Sequence, residues 1–316
     1  MLVANAMSKA FGGDLVAAIV VLYRPECNAV QCLIRSLEDQ VGVIFVIDNT
    51  PANEFVHERE LFPPKCNVPH YYKAQGENMG IAAAQNTGIR QALGAGSSHI
   101  ILFDQDSVPA AGMVQALLSA EGTLASQGLP VAAVGPIFID ERSGWVSPAV
   151  RYSFLGLRTI PVDLSKSVVV EAHFLIASGC LIRASVLSRV GVMREDLFID
   201  WVDNEWGLRA RKMGLRCYVV PEARMRHRIG DGVIHLFGKQ LHVHTETRNY
   251  YLLRNAIYLM RVRTMGLRWK LSFLPRLPFY LVIYPLLAEH RLRHFVMLLR
   301  AVHDGMCGRL GRLNRS

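Results

Sequence analysis

Asp104-Gln105-Asp106 places two carboxylates at i and i+2 immediately after the apolar run Ile100-Ile101-Leu102-Phe103. Two acids on one loop past a strand end can approach one divalent cation from the same side. Hard oxygen ligands of this kind suit Mg²⁺ or Mn²⁺, with a substrate diphosphate completing the shell. The same residues also suit a turn whose acids cap a following helix, because Asp and Ser are favoured there. Asp48, in Val46-Ile47-Asp48-Asn49, ends another apolar run. A carboxylate there can accept the N3–H of a uracil or thymine ring, or close an Asx turn.

Two further groups lie downstream. Phe198-Ile199-Asp200-Trp201-Val202-Asp203-Asn204-Glu205-Trp206 holds three acids between aromatic residues at the start of a helical pattern. A partly desolvated carboxylate can serve as a general base, since burial raises its pKa towards the working pH. An acidic first turn complementing the helix macrodipole is the competing reading. His227 follows the apolar run Cys217 to Val220, where a neutral imidazole can add a nitrogen ligand to a metal.

These residues need a frame that gathers them. The runs Leu15 to Leu22, Val43 to Ile47, Val68 to Tyr72, Ile100 to Phe103 and Val131 to Val134 are continuous and rich in Val and Ile, which predicts parallel strands buried on both faces. Asn28 to Asp39 and Ile81 to Leu93 read as the intervening helices. The alternation predicts an α/β, doubly wound sheet, in which ligands bind beyond the carboxyl ends of the strands. Further on, Val168 to Ile176 and Cys217 to Val220 read as strands, and Ala184 to Val190, Trp201 to Met213 and Arg248 to Met265 as helices. Beyond these, Pro275, Pro278 and Pro285 break any regular pattern.

Charge divides the chain. The net charge is +9, yet Arg248 to Ser316 carries thirteen Arg and Lys against Glu289 and Asp304, so the tail alone is +11 and residues 1–247 are near neutral. The basic residues flank Leu277 to Ala288, twelve residues without a charge. That is short of the roughly 20 needed to span a bilayer and suits a segment in the membrane interface, with Arg and Lys at headgroup level. A helix pair packed on the body is the alternative. Six cysteines without a CxxC pair read as buried free thiols in a reducing compartment, and residues 1–14 lack the pattern of a signal peptide. Together these predict a cytoplasmic protein held at the inner face of the membrane. No aromatic-and-basic RNA motif argues for nucleic acid. Leu22-Tyr23-Arg24-Pro25 stands where a dinucleotide-binding oxidoreductase has GxGxxG.

The order of the motifs resembles that of family 2 glycosyltransferases of the GT-A fold, and among them bacterial rhamnosyltransferases. The matching stretches are Ala18 to Pro25, Val46-Ile47-Asp48-Asn49, Glu77 to Asn86, Phe103 to Ser107, Ser178 to Ile182 and Asp203 to Arg211, within residues 15–265. The resemblance implies a nucleotide-sugar donor bound by Tyr23, Asp48, Asn78, Gly80, Asp104 and Gly179. Asp48 would meet the base, and Gly179 would let the sugar approach the backbone. It implies a metal on Asp104, Asp106 and His227, and a catalytic base at Asp203. The acid that many relatives carry before that position is Val202 here, which leaves Asp200 and Glu205 as alternatives. Arg248 and Arg254, about 1.7 helical turns apart, match a post-catalytic helix and would meet the pyrophosphate of a lipid-linked acceptor. The implied reaction is a metal-dependent, inverting transfer of L-rhamnose from dTDP-L-rhamnose to a lipid-linked saccharide in O-antigen-type synthesis. UDP-galactofuranose or another UDP-hexose is the alternative donor. Residues 1–247 would form the catalytic domain, and 248–316 a basic, helical, membrane-associating extension.

Overall fold

A computed structural model of the chain describes residues 15–139, 145–154, 156–227, 233–236, 239–242, 245–287 and 290–313. The N-terminal residues 1–14, Ala288 and the side chain of His227, all used above, lie outside the described residues.

The first half alternates strands and helices: β1 (Val16–Leu22), α1 (Cys27–Leu37), β2 (Val43–Pro51), β3 (His70–Gly76), α2 (Ile81–Gly94), β4 (His99–Asp104), β5 (Ser107–Pro109), α3 (Met113–Ser126) and β6 (Val131–Ile139). The second half adds a hairpin of β7 (Ala149–Ser153) and β8 (Gly156–Ile160), then β9 (Val170–Ala172), β10 (Leu181–Arg183), α4 (Ala184–Val190), α5 (Val202–Lys212), β11 (Arg216–His227), and a second hairpin of β12 (Val233–Leu236) and β13 (Lys239–His242). The chain ends in helices, among them α6 (Glu246–Arg261), α7 (Gly266–Phe273) and, after the short helix Tyr284–Leu287, α8 (Arg291–Cys307).

The main sheet runs β3-β2-β1-β4-β10-β6-β11-β5, with β9 also on β11. β1, β2, β3, β4, β6 and β11 point one way and β5, β9 and β10 the other. Side chains alternate across the strands. In β1, Ala17, Ile19 and Val21 enter a core shared with α2, α5, α6, α7 and α8. Val16, Ala18, Val20 and Leu22 enter the opposite core with α1 and α3. Both faces are therefore covered, which is why the runs are continuously apolar.

Several boundaries differ from expectation. The third strand begins at His70, two residues later than Val68, and it is a mostly exposed edge strand, so burial left little mark on its composition. Val168 to Ile176 forms a strand only over Val170–Ala172, the stretch that pairs with β11. The helix read from Arg248 starts at Glu246 because the Thr245 hydroxyl accepts the Arg248 N–H as an N-cap. Cys180 and Cys217 are buried, whereas Cys32 and Cys307 are exposed, and all six thiols are free. The run from Leu277 is divided: Leu277, Tyr280 and Leu281 pack on the core, while Val282 and Leu286 face out.

Candidate active site

Parallel register sets the site. Leu22 pairs with Asp48 and Val21 with Asp104, so the ends of β1, β2 and β4 share one edge of the sheet. Tyr23 is exposed there, and the side chain of Gln105 holds its backbone twice: Tyr23 N–H donates to Oε1 at 2.8 Å, and Nε2 donates to Tyr23 O at 3.2 Å. The central residue of Asp-Gln-Asp thus ties the β1 loop to the β4 loop.

Asp48 is fully buried. Its Oδ1 accepts the Thr50 N–H at 2.9 Å and its Oδ2 the Tyr72 hydroxyl at 2.8 Å. Burial and that bond to a carboxylate push the Tyr72 phenol well above its ordinary pKa. Next to Asp48, Asn49 Nδ2 donates to Asn78 Oδ1, and Asn49 Oδ1 accepts the Met79 N–H. Asn78 Oδ1 also accepts the Gly80 N–H at 2.9 Å. Gly80 has φ +87°, and an added Cβ would lie 2.5 Å from Phe198 O. This glycine is required by the approach of the loop that precedes α5.

The acids of the Asp104 loop do not cap a helix. They lead into β5, and the next helix starts at Met113 behind Gly112. Asp104 N–H donates to Ser178 Oγ at 3.0 Å, and Ser178 in turn bonds Ser107. β5 pairs antiparallel with β11, Ser107 opposite His227, so the backbone of His227 runs beside the Asp106 loop. Asp106 is exposed. Among the described residues no three His, Cys, Asp or Glu side chains form a metal-binding group. Two hard carboxylates at i and i+2 nevertheless fit a cation that takes its remaining ligands from a diphosphate.

The structure gives the three downstream acids different partners. Glu205 is buried and bonded to the Arg209 guanidinium through both oxygens, at 3.0 to 3.2 Å, so it is an ion-pair partner. Asp203 sits in the first turn of α5 without capping it. Its Oδ2 accepts the Ala177 N–H at 3.0 Å, and it borders a small cavity lined by Leu102, Met193, Trp206 and Cys217. Burial, then the charge of Asp104 and that of Asp200, push the Asp203 carboxyl up to about 7, against the opposing pull of the Ala177 N–H. Asp104 and Asp203, 99 residues apart in sequence, therefore feel each other's charge across one site. Asp200 is largely covered, with Oδ1 3.4 Å from Arg248 and Oδ2 without a hydrogen-bond partner among the described residues; burial raises its pKa.

The loop carrying Asp200 is strained. Phe198, Asp200 and Trp201 have φ of +67°, +62° and +64°, a conformation that costs about 1–3 kcal/mol per non-glycine residue and persists only where the surroundings enforce it. The enforcement comes from α6. Asn255 Nδ2 donates to the carbonyls of Leu197, Ile199 and Asp200 at 2.9, 2.8 and 3.3 Å. Trp201 Nε1 donates to Leu252 O at 2.9 Å. Sequence reasoning missed Asn255, although its place directly after Arg254 in the matching helix was a signal.

Two of the expected binding residues have other partners within the fold. Arg254 is 1% exposed, donates to Leu197 O and Gly311 O, and stacks on Tyr250 and Tyr251. Its guanidinium satisfies carbonyls that would otherwise be orphaned, which makes it a strut for the same loop. Gly179 has φ +77°, but an added Cβ would strike the Pro136 ring at 2.5 Å. It is glycine because of that packing and its backbone. Arg248 remains 42% exposed at the start of α6.

No family model matches the sequence. A curated relative, the dTDP-rhamnosyl transferase RfbF of Shigella flexneri, is 33% identical over 248 residues, covering 77% of this chain and 79% of that protein. Among solved structures, GalNAc-T7 with UDP, GalNAc and Mn²⁺ aligns with a TM-score of 0.54 at 13% identity; it covers 94% of this chain, which spans only 58% of that one. TarS 1–349 of S. aureus gives a TM-score of 0.54 at 12% identity over 93% of this chain and 82% of its own. Its complex with UDP-GlcNAc gives 0.51 at 13% over 93% and 92%. At these identities the solved structures establish the fold.

Proposed function

The chain belongs to the bacterial rhamnosyltransferases of glycosyltransferase family 2, and from that premise we propose that it transfers L-rhamnose from dTDP-L-rhamnose, with inversion, to a lipid-linked saccharide at the inner face of the membrane. The observation that carries the chemistry is the Asp203 carboxyl, held up to about 7 in a site it shares with Asp104. A base with that pKa is half ionised at neutral pH and keeps enough basicity to accept a proton during bond formation.

In this reading the thymine ring lies against Tyr23 and passes its N3–H to Asp48 in place of the Tyr72 hydroxyl. The Asn49–Asn78 bond fixes the turn that shapes the pocket floor at Gly80. Asp104 and Asp106, with His227 from the neighbouring strand, would hold Mg²⁺ or Mn²⁺, which supplies charge neutralisation to the diphosphate. Asp203 Oδ1 takes the proton of the acceptor hydroxyl as that oxygen attacks C1 on the face opposite the leaving group. The C1–O bond to dTDP breaks as the new glycosidic bond forms, and one displacement inverts the centre. The Ala177 N–H keeps Asp203 Oδ2 in place throughout. Arg248, at the mouth and near Asp200, offers its guanidinium to the acceptor's pyrophosphate. The likeness to a dTDP-rhamnosyl transferase does not favour UDP-galactofuranose as donor. Among the described residues no helix is long and apolar enough to cross a membrane, so attachment at a surface is part of the proposal.

A panel of nucleotide sugars, with and without divalent metal, tests it. Wild type should turn over dTDP-L-rhamnose only with metal; Asp106→Asn should weaken metal-dependent donor binding, and Asp203→Asn should bind donor without transfer. Turnover of another sugar nucleotide with none of dTDP-L-rhamnose refutes the donor assignment.

A further inference from the structure

α8 is apolar on both sides. Its inner face, His294, Leu298, Ala301 and Gly305, is buried against the body. Its outer face carries Leu292, Phe295, Val296, Leu299 and Met306, which at 100° per residue fall within roughly 100° of arc on the opposite side. These are no grazing contacts with water: Leu292 is 77% exposed and Val296 57%. Arg291 lies at one margin of the stripe, and Arg293 and Arg300 at the other. α7 repeats the arrangement in one pair of turns. Trp269, Ser272 and Phe273 point inward, while Leu267, Leu271 and Leu274 point outward between Arg268 and Lys270. Val282 and Leu286, between the two helices, are also exposed, and so is Phe154 on the β7–β8 hairpin, which packs beside α7 under the Arg268 guanidinium.

Exposed apolar area of this extent marks an interaction site. We propose that the outer faces of α7 and α8 form a docking surface for an anionic lipid bilayer. This rests on the reading that the acceptor is lipid-linked, and it moves the contact from the Leu277 run to two helices that flank it. Charge selects the occupant. The only acidic residue described from α7 to the end of α8 is Asp304, which is buried, accepts the Tyr250 hydroxyl at 2.8 Å and pairs with Arg300 at 3.5 Å. Glu246 of α6 pairs with Arg293 at 3.4 Å, so both arginines keep a net positive margin over two acids that are largely covered. A stripe of Leu, Val and Phe edged by arginine matches acyl chains below anionic headgroups. Self-association would set those arginines against their own copies. The docked face is also wired to the site: on the inner side of α7, Trp269 and Phe273 meet the Trp201 ring edge-on at 5.4 and 5.7 Å. Trp201 belongs to the strained loop before Asp203, so the docked helix and the loop that carries the base are packed as one unit.

Flotation of the full chain with vesicles of phosphatidylglycerol and phosphatidylcholine, and with phosphatidylcholine alone, tests the surface. Wild type should float with the anionic vesicles. Leu292→Glu with Leu299→Glu, both exposed and so harmless to folding, should weaken binding at least about tenfold with unchanged thermal midpoint and donor turnover. Arg291→Glu with Arg293→Glu should lose only the preference for anionic lipid. Wild-type protein that ignores both vesicles, or a Leu pair variant that binds as tightly as wild type, overturns the surface while leaving the transferase reading intact. A lipid-independent dimer abolished by the Leu pair also overturns it, in favour of a second copy as occupant. Loss of donor turnover in every protein, wild type included, sinks the transferase reading without touching the vesicle result.

Discussion

Replacing Asp203 with Asn should remove activity and stabilise the fold at the same time. The carboxyl is raised from 3.8 to about 7, first by burial and then by the charges of Asp104 and Asp200. That shift of about 3 units corresponds to about 4 kcal/mol between the two protonation states. The sign follows from proton counts. Between the unfolded and folded pKa the native chain retains a proton that the unfolded chain has lost, so stability falls as pH rises from about 4 to 7 and is level beyond. Asn carries no such penalty and keeps an oxygen for the Ala177 N–H. Its advantage should be under about 2 kcal/mol at pH 5 and approach about 4 kcal/mol at pH 8. At about 2–4 °C per kcal/mol, that is a rise in thermal midpoint of several degrees, larger at the higher pH. Thermal unfolding followed by circular dichroism at pH 5 and 8, with chelator present so that no cation screens Asp104, gives the comparison. Transfer by the same variant should fall about 10²–10⁴-fold, the range for loss of a general base. A midpoint gain that does not grow with pH, or transfer at wild-type rate, would refute the assignment of Asp203 as a buried base.

The acidic limb of kcat/KM should show unit slope with an apparent pKa above the ordinary aspartate value and no higher than about 7, because burial, the leading cause, persists when a cation neutralises Asp104; a limb at about 4 would contradict it. Gly179→Ala meets Pro136 at 2.5 Å and a φ of +77°, and should cost about 2–4 kcal/mol in urea unfolding. Asn255→Ala frees three carbonyls of the strained loop, and kcat should fall about 10–100-fold, as for about 1–3 kcal/mol of lost bonding, with donor KM unchanged. A lower thermal midpoint with kcat intact would confine Asn255 to folding.

What could be read along the chain was whatever depends on near neighbours. Val and Ile runs announce doubly buried strands, and acids directly after them lie at the carboxyl edge, because a parallel sheet aligns those ends. Asp48, Asp104 and Asp106 were legible for that reason. The exposed edge strand β3 was blurred, since a strand with one partner and little burial carries weak apolar patterning. The resemblance pointed to Asp203 with Asp200 and Glu205 as alternatives, and only the fold shows how differently the three acids are surrounded. Glu205 is withdrawn by Arg209 four residues on, and Asp203 is raised by Asp104 from across the site.

Composition and spacing thus determined which polar side chains emerge together at the carboxyl edge of the sheet. Tertiary structure decided what each one does, because a side chain's direction and partners are set by packing between distant segments. Gln105 binds Tyr23 across 82 residues, and Ser178 reaches Asp104 across 74. Arg254, charged and on the matching helix, turns inward to carbonyls that burial would otherwise leave unpaired. On α8 the apolar residues announce a helix with much to bury, and only its seating on the body shows that half of them are left facing out.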